Sequence, residues 1–495
     1  MASRHALKEG VRRLVRDEVG TPAPHGGHER VALVYPSPYR AGMSSLGFLS
    51  IYREIHGAGR GVERAFLPDD PEAYRVSRTP LFTFESETPV ADFPVIALSI
   101  AYETELLGMI RTLELAGLAP LSEERPEGAP FVLMGGPLTF SNPLPLAPYA
   151  DAIVMGEADE LVNQVLDVIF GTEGREARLD QLAAIPSVFV PARHGDAMPP
   201  IAKASFEVLP AWAPIRTPHT ELSDMFLLEA ARGCSRGCTY CVMRRSTNGG
   251  MRIVPMETIL GTIPADAKRV GLVGAAVSDH PKIADIVERL ADEGREVGLS
   301  SLRPDKLNDR FVAALKRAGY RTLTTASDGA SNRLRDLVQR KARDNHLLRA
   351  AELARAHRMQ RLKLYLMVGL PEETDADIDE LIGFATELSR IVPLSLGIAP
   401  FVSKRNTPLD GLPFAGIDVV ERRLARLRAG VKGRVELRVT SAKWAWVEWI
   451  LAQGGRAEGR AVMEVARAGG GFGAWKRAFE ALPSERPRRT LAVVA

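Results

Sequence analysis

Apolar residues in this chain come in short runs stopped by glycine, proline or polar residues, and these runs alternate with stretches of helical apolar rhythm. In the first third, residues 31–35, 95–100, 131–134 and 152–155 read as buried strands, and 46–55 reads as a helix between the first two. Strands alternating with helices predict a Rossmann-like, doubly wound parallel sheet over residues 1–170. Residues 171–220 are proline-rich and lack long periodicity, which predicts a linker, with 187–190 pairing on a sheet edge. Six further strand candidates follow at 225–229, 270–273, 297–300, 322–325, 362–368 and 394–398. Six strand-helix units predict a partial (β/α)6 barrel over residues 221–430, with its reactive face on the loops after the strands. Residues 431–495 predict a small, mainly helical C-terminal region. Ala442, Trp446, Trp449 and Ile450 share a helical spacing there, so core packing is the favoured role and a barrel lid hinged at Gly469, Gly470 and Gly471 is the other. The expected fold class is α/β.

Composition adds bounds. With 495 residues and 45% hydrophobic content the chain can form about two to four domains. Charged or proline residues interrupt every apolar run before the ~18 residues of a membrane span. With 64 basic and 61 acidic residues, a net charge of +3, no global electrostatic case for nucleic acid exists. Local basic stretches at Arg244-Arg245 and 422–428 read as solvated helix faces. Residues 1–20 are charged and helix-like, with no apolar signal segment, which together with an odd cysteine count predicts a cytoplasmic location.

All three cysteines, Cys234, Cys238 and Cys241, fall in one C-x3-C-x2-C loop with Tyr240 before the last and glycines at 233 and 237. Iron–sulfur clusters are usually held by four cysteines, so three on one loop suggest a [4Fe–4S] cluster with one iron open to a non-protein ligand. Inert buried cysteines would rarely gather so tightly. Zinc would need a fourth ligand, and His219 and His280 lie at no familiar finger spacing.

This spacing resembles the signature loop of the radical S-adenosylmethionine (SAM) enzymes. The resemblance implies that SAM chelates the open iron, that a reductant such as flavodoxin or ferredoxin supplies one electron, and that the resulting 5′-deoxyadenosyl radical takes hydrogen from a substrate. It also implies SAM contacts at the later strand ends: Gly274 and Ser278, with Asp279 as the nearby acid, then Ser301 and Arg303, then Asp328 and Arg335, and last the Val368-Gly369 step for adenine. Tyr240 fills the aromatic slot. Ion pairs at a barrel mouth explain Arg303, Asp328 and Arg335 as well as SAM does, and a tight turn explains Gly369. Related enzymes more often carry glutamate where Asp328 stands. No catalytic residue beyond these is identifiable.

Two upstream segments, Leu133-Met-Gly-Gly-Pro137 and Val154-Met-Gly-Glu157, together with Ser44-Ser-Leu-Gly-Phe48, resemble the cobalamin-binding-type domain that precedes the radical core in one branch of these enzymes. The usual Asp-x-His-x-x-Gly motif is missing, because its histidine slot holds Tyr39 in one register and Ser44 in the other. Cobalamin therefore binds without an axial histidine or not at all. The strand-end glycines would let a bulky ligand approach the backbone. Methylthiolation enzymes have a similar core but carry a second cysteine-bound cluster, for which no cysteine remains. The segment 401–409 resembles an uncharacterised group of cobalamin-domain radical SAM proteins. The expectation is a radical SAM enzyme with an unknown substrate. Cobalamin-assisted methyl transfer and cobalamin-free radical chemistry are its two forms, and a non-catalytic cluster- or SAM-binding sensor is the alternative.

Overall fold

A computed structural model describes residues 3–23, 25–243, 250–300 and 302–482. They divide into two compact units, Met1–Met225 with Ile450–Ala495, and Phe226–Trp449.

The first unit is built on six strands, β1 (Arg30–Tyr35), β2 (Gly61–Phe66), β3 (Val95–Ser99), β4 (Phe131–Gly135), β5 (Ala152–Val154) and β6 (Val188–Phe189). Their order is β2-β1-β3-β4-β5-β6, parallel except for β6, which pairs antiparallel with β5. In this order the topological switch point lies between β1 and β3. The helix Leu46–Gly57 follows β1 and starts at Ser45, whose Oγ accepts the Phe48 N–H.

Strand β2 has no apolar run to announce it. It is buried along its whole length although it contains Glu63 and Arg64. Arg64 is 0% exposed and pairs with Glu18 at 2.7 Å and Glu85 at 2.6 Å, while Glu63 accepts from Thr83 and pairs with Arg30. Internal partners let a charged strand enter a core that would otherwise reject it.

The segment expected as a linker folds onto this unit. It holds the helix Arg175–Ala183, β6, and a bridge between Ala202 and Gly156. Residues 450–482 belong here too. Asn142, fully buried, donates to the carbonyls of Leu451, Ala452 and Gly454 at 3.1, 3.0 and 2.9 Å. Tyr149 donates to the Gly459 carbonyl at 2.6 Å. Trp475 is buried, and of the four residues at helical spacing Ala442 and Ile450 are buried while Trp446 and Trp449 are half-buried. Gly469 and Gly470, with φ +85° and +83°, close the helix Arg456–Arg467 in a C-terminal turn, and the Gly469 carbonyl accepts from Arg111. The glycine run is a helix stop docked on the sheet's own helix, and this accounts for it without a hinge.

Among the described residues the second unit has nine strands: β7 (Met225–Glu229), β8 (Ala231–Gly233), β9 (Met251–Ile253), β10 (Arg269–Val273), β11 (Glu296–Leu299), β12 (Thr322–Asp328), β13 (Arg361–Val368), β14 (Leu394–Pro400) and β15 (Val435–Val439). One sheet runs β11-β10-β7 and another runs β12-β13-β14-β15, and a parallel bridge from Leu302 to Thr325 links them. The result is a partial barrel wall of seven strands rather than six. The seventh, β15, lies in the region expected to be helical and pairs parallel with β14. Strands β8 and β9 form a separate antiparallel pair. Helix 417–430 is not wholly solvated either: Arg423 is buried and pairs with Glu373 at 2.9 Å. Arg244-Arg245 lies outside the described residues.

On β13 the burial alternates, with Leu362, Leu364, Leu366 and Val368 buried against the outer layer and Lys363, Tyr365 and Met367 on the other face. Among the described residues no helix is long and apolar enough to cross a membrane.

Candidate functional site

The cysteine loop leaves β8 immediately after Gly233, and β9 returns the chain antiparallel to β8, with Gly233 opposite Met251. Gly233 has φ +92°, a conformation that suits glycine at the start of so tight a loop. Cys238 is buried, whereas Cys234 and Cys241 are half-buried. Burial pushes the Cys241 thiol up, and its two neighbouring thiols and Asp328 add to that. Among the described residues no three His, Cys, Asp or Glu side chains converge as a single bound ion needs. A cubane instead takes each cysteine sulfur on a separate iron.

Two networks tie the loop to the barrel's strand ends. Ser235 donates to Asp279 at 3.1 Å and Arg236 to Asp305 at 2.8 Å, and Arg303 joins the two acids at 2.9 Å and 3.1 Å. Asp279 follows β10, and Arg303 and Asp305 follow β11. Arg303 is buried, and its backbone N–H donates to the buried Ser278 Oγ at 2.9 Å. The second Asp279 oxygen, Oδ1, is buried with no partner.

In the other network the Tyr240 hydroxyl donates to Asp328 at 2.8 Å, and Arg340 pairs with the same oxygen at 2.8 Å. Burial and the Asp328 charge push the Tyr240 hydroxyl far up. Burial works to lower Arg340, but Asp328, Tyr240 and a hydrogen bond to Cys238 outweigh it and hold the guanidinium charged. Asp328 has φ +62° at a bulge that ends β12, a conformation aspartate tolerates better than most residues.

The remaining expected contacts also have partners within the protein. A Cβ on Gly274 would lie 2.6 Å from the Ala231 carbonyl oxygen, so this glycine is required where the cysteine-loop strand crosses the end of β10. Arg335 is buried and pairs with Asp344, Asn332 and the Gly329 carbonyl. The Val368 carbonyl accepts from the Phe401 N–H at 2.8 Å, and the Gly369 N–H donates to Glu373 at 2.8 Å. Ser301 lies outside the described residues. His280 is buried between the Val254 carbonyl and the Lys282 N–H, so both ring nitrogens are engaged away from the cysteines.

Sequence reasoning missed Arg340 and Arg236. A further feature it missed is a cavity of about 560 Å³ on the inner face of β12–β15, reached by Asp328, Lys363, Tyr365, Met367 and Arg438. The alternation Lys-x-Tyr-x-Met along β13 was the available signal.

Residues 228–385 match the radical SAM superfamily, and residues 47–191 match the N-terminal domain of radical SAM proteins. The chain belongs to the radical SAM superfamily. Membership implies a [4Fe–4S] cluster, SAM and an external reductant. An uncharacterized protein of Methanocaldococcus jannaschii is 26% identical over 390 residues, 77% of this chain and 79% of that one. The ribosomal protein uS12 methylthiotransferase RimO of Clostridioides difficile is 25% identical over 213 residues, and the chain spans 46% of its length. The fold is shared with the radical SAM methyltransferase TsrM of Kitasatospora setae, solved with cobalamin and a [4Fe–4S] cluster bound. That likeness has TM-score 0.56 and 12% identity, covering 80% of this chain and 75% of that one. A second fold match, at TM-score 0.50 and 12% identity, is the cobalamin-dependent radical enzyme OxsB solved with aqua-cobalamin and SAM, covering 82% of this chain and 56% of that one.

Two of the first unit's strand-end glycines admit the protein's own backbone: a Cβ on Gly136 would meet the Ile100 carbonyl at 2.6 Å, and one on Gly156 the Ala202 carbonyl at 2.7 Å, whereas Gly47 has nothing within 4 Å. At the switch point, Glu105 accepts from Ser37 at 2.9 Å and from the Ala101 N–H at 2.7 Å. Tyr39 stacks on Phe84 and donates to Glu18 at 2.8 Å, and Ser44 donates to the Arg40 carbonyl at 2.7 Å. Neither residue in the histidine slot stands as a metal ligand.

Proposed function

We propose that the second unit carries a [4Fe–4S] cluster on Cys234, Cys238 and Cys241 and uses SAM to begin radical chemistry on an organic substrate. The observation that carries this reading is the cysteine loop itself, with three thiols tethered through Ser235 and Arg236 to acids at the ends of β10 and β11. The donor set fits the group: three thiols, a guanidinium beside Cys238, and a buried orphan acceptor on Asp279. Cluster and SAM, when bound, supply one-electron cleavage of the sulfonium and a radical able to take hydrogen from an unactivated carbon.

The chain's own residues bind, orient and shield. Asp279 Oδ1 offers an ammonium group the acceptor it lacks, and Arg303 fixes that carboxylate through its other oxygen. Arg340 places positive charge against Cys238 and is itself fixed by Asp328, which Tyr240 caps. The Val368-Gly369 turn is held on both sides, by Phe401 and Glu373, and so presents a rigid edge for adenine.

Anaerobic reconstitution is expected to give about four iron and four sulfide per chain. Eight iron per chain would mean a second cluster and contradict the three-cysteine count. Dithionite and SAM are expected to release 5′-deoxyadenosine over many equivalents, which a passive sensor would not do. A Cys238→Ala protein that kept a full cluster and cleaved SAM would overturn the assignment.

A second reading adds cobalamin to the first unit, and the shared fold with TsrM favours it. With Tyr39 and Ser44 already bonded inside the protein, no side chain in the motif's histidine position coordinates cobalt. Purification from cobalamin-replete cells tests it, and absence of corrinoid absorbance excludes methyl transfer by that route.

A further inference from the structure

The inner face of β13, β14 and β15 is set by strand register. Tyr365 stands beside Gly397, which stands beside Arg438, and one step earlier Lys363 stands beside Ser395 and Glu436. Gly397 matters because a Cβ there would come within 2.6 Å of the Tyr365 ring, so the ring leans over the glycine. Tyr365 remains 45% exposed, and the Lys363 ammonium sits 4.6 Å from its ring centroid.

Lys363, Tyr365, Gly397 and Arg438 line one end of the cavity of about 560 Å³, and Met367, Asp328 and Thr440 line the other. The two ends differ in charge. Asp328 is already matched by Arg340. Lys363 has no carboxylate partner among the described residues, and Arg438 shares the single acid Glu436 with Arg361. Two arginines and one lysine thus face one carboxylate. The inner face between the two ends carries no charge, with Gly397 and Ala399 beside the Met367 side chain.

We propose that this cavity takes a substrate with an apolar body and one anionic group, a carboxylate or a phosphate, held by Lys363 and Arg438 so that the body extends toward the cysteine-loop end. Calling the ligand a substrate rests on the radical reading above. The cavity's charge selectivity does not. An anion is the partner that Lys363 lacks, and a guanidinium with one edge on Glu436 keeps its other edge for a second acceptor.

The probes are 3-phenylpropionate, 2-phenylethyl phosphate, 3-phenylpropanol and 3-phenylpropylamine, titrated into the full-length reconstituted protein by calorimetry. The carboxylate or the phosphate is expected to bind at least about tenfold tighter than the alcohol, with the amine weakest, as one or two charge-assisted hydrogen bonds imply. The stronger of the two anions identifies the headgroup. Lys363→Gln and Arg438→Gln are each expected to remove most of that preference while leaving alcohol binding within about twofold. Equal binding of alcohol and anions to the unsubstituted protein overturns the proposal without any variant, and so does a preference that survives both substitutions. Iron content and 5′-deoxyadenosine release, measured on the same samples, separate the two ideas. Anion preference without SAM cleavage removes the radical reading alone, and SAM cleavage without anion preference removes this proposal alone.

Discussion

Replacing Asp279 tests whether the cysteine loop is held by the strand ends. In Asp279→Ala, Ser235 loses its acceptor and Arg303, whose side chain is 5% exposed, keeps only Asp305. Removing one member of a buried ion pair costs about 3–5 kcal/mol when nothing else compensates. Asp305 remains, so the expected loss is about 2–3 kcal/mol, or roughly a 30- to 150-fold rise in local opening. Asp279→Asn keeps an acceptor for Ser235 and is expected to cost about half as much. Because the chain divides into two compact units, a single unfolding midpoint is a poor readout. Amide exchange across residues 231–243 in the metal-free protein reads the loop directly. Faster exchange there, with residues 30–66 unchanged, is the expected result. Both variants should also bind SAM more weakly after reconstitution, since neither offers a carboxylate to the ammonium. Unchanged exchange in Asp279→Ala would refute the tether, and unchanged SAM affinity in a well-exchanging variant would refute the acceptor role alone.

Three other outcomes follow from named contacts. Gly274→Ala puts a Cβ 2.6 Å from the Ala231 carbonyl oxygen, a backbone clash that should displace β8 and lower reconstituted iron well below that of the unsubstituted protein, checked by iron assay. Asn142→Leu removes the donor to the Leu451, Ala452 and Gly454 carbonyls and is expected to destabilise the first unit by about 2–4 kcal/mol in urea, since each stranded buried group costs about 1–3. Burial raises the Glu373 carboxyl from 4.5 to about 6, against the opposing Gly369 N–H and Arg423. The folded state therefore holds this proton more tightly than the unfolded chain does, so stability should fall by about 2 kcal/mol as pH rises from 4.5 through 6 and then level off. Glu373→Gln keeps the acceptor for Gly369 and should flatten that slope; an unaltered slope would place its origin elsewhere.

The parallel strands were legible because each is a short apolar run with a turn behind it, and this held for β1, β3, β4, β5 and the barrel strands through β14. Strand β2 was hidden by Glu63 and Arg64. No local pattern reveals that Arg64 meets Glu18 and Glu85, which lie 46 and 21 residues away. Strand β15 was hidden for the opposite reason. Its alternating Glu436 and Arg438 are exposed, as an outer strand permits, and so look like a polar helix face. Proline in 171–220 suggested a linker, but the segment makes strand and helix contacts that only the finished sheet can offer. At the site, the cysteine spacing was decisive by itself because its order is local. Arg340 was not visible, since it reaches the loop only after the barrel closes.

Burial and bonding also sort the strand-end residues in a way their positions cannot. Gly274 is required by the Ala231 carbonyl and Gly136 by Ile100, so a glycine at a strand end is weak evidence for a ligand even in a fold that binds one. Arg303 is likewise surrounded by partners of its own. Groups built to meet a ligand should be left wanting one. Among the acids named at the loop, Asp279 keeps one buried oxygen without a partner, and among the inward side chains of β13 and β15, Lys363 keeps a charge without a counter-charge. A buried unsatisfied acceptor costs about 1–3 kcal/mol, a cost that a cation bound beside the three thiols would offset. Lys363 is half-buried and carries no such cost, but its charge lacks a counter-charge and suits an anion. An acceptor at the cysteine loop and a cation deeper in the barrel would anchor two different molecules at separate points with their bodies between, and closeness of the reacting atoms is what hydrogen transfer between them requires.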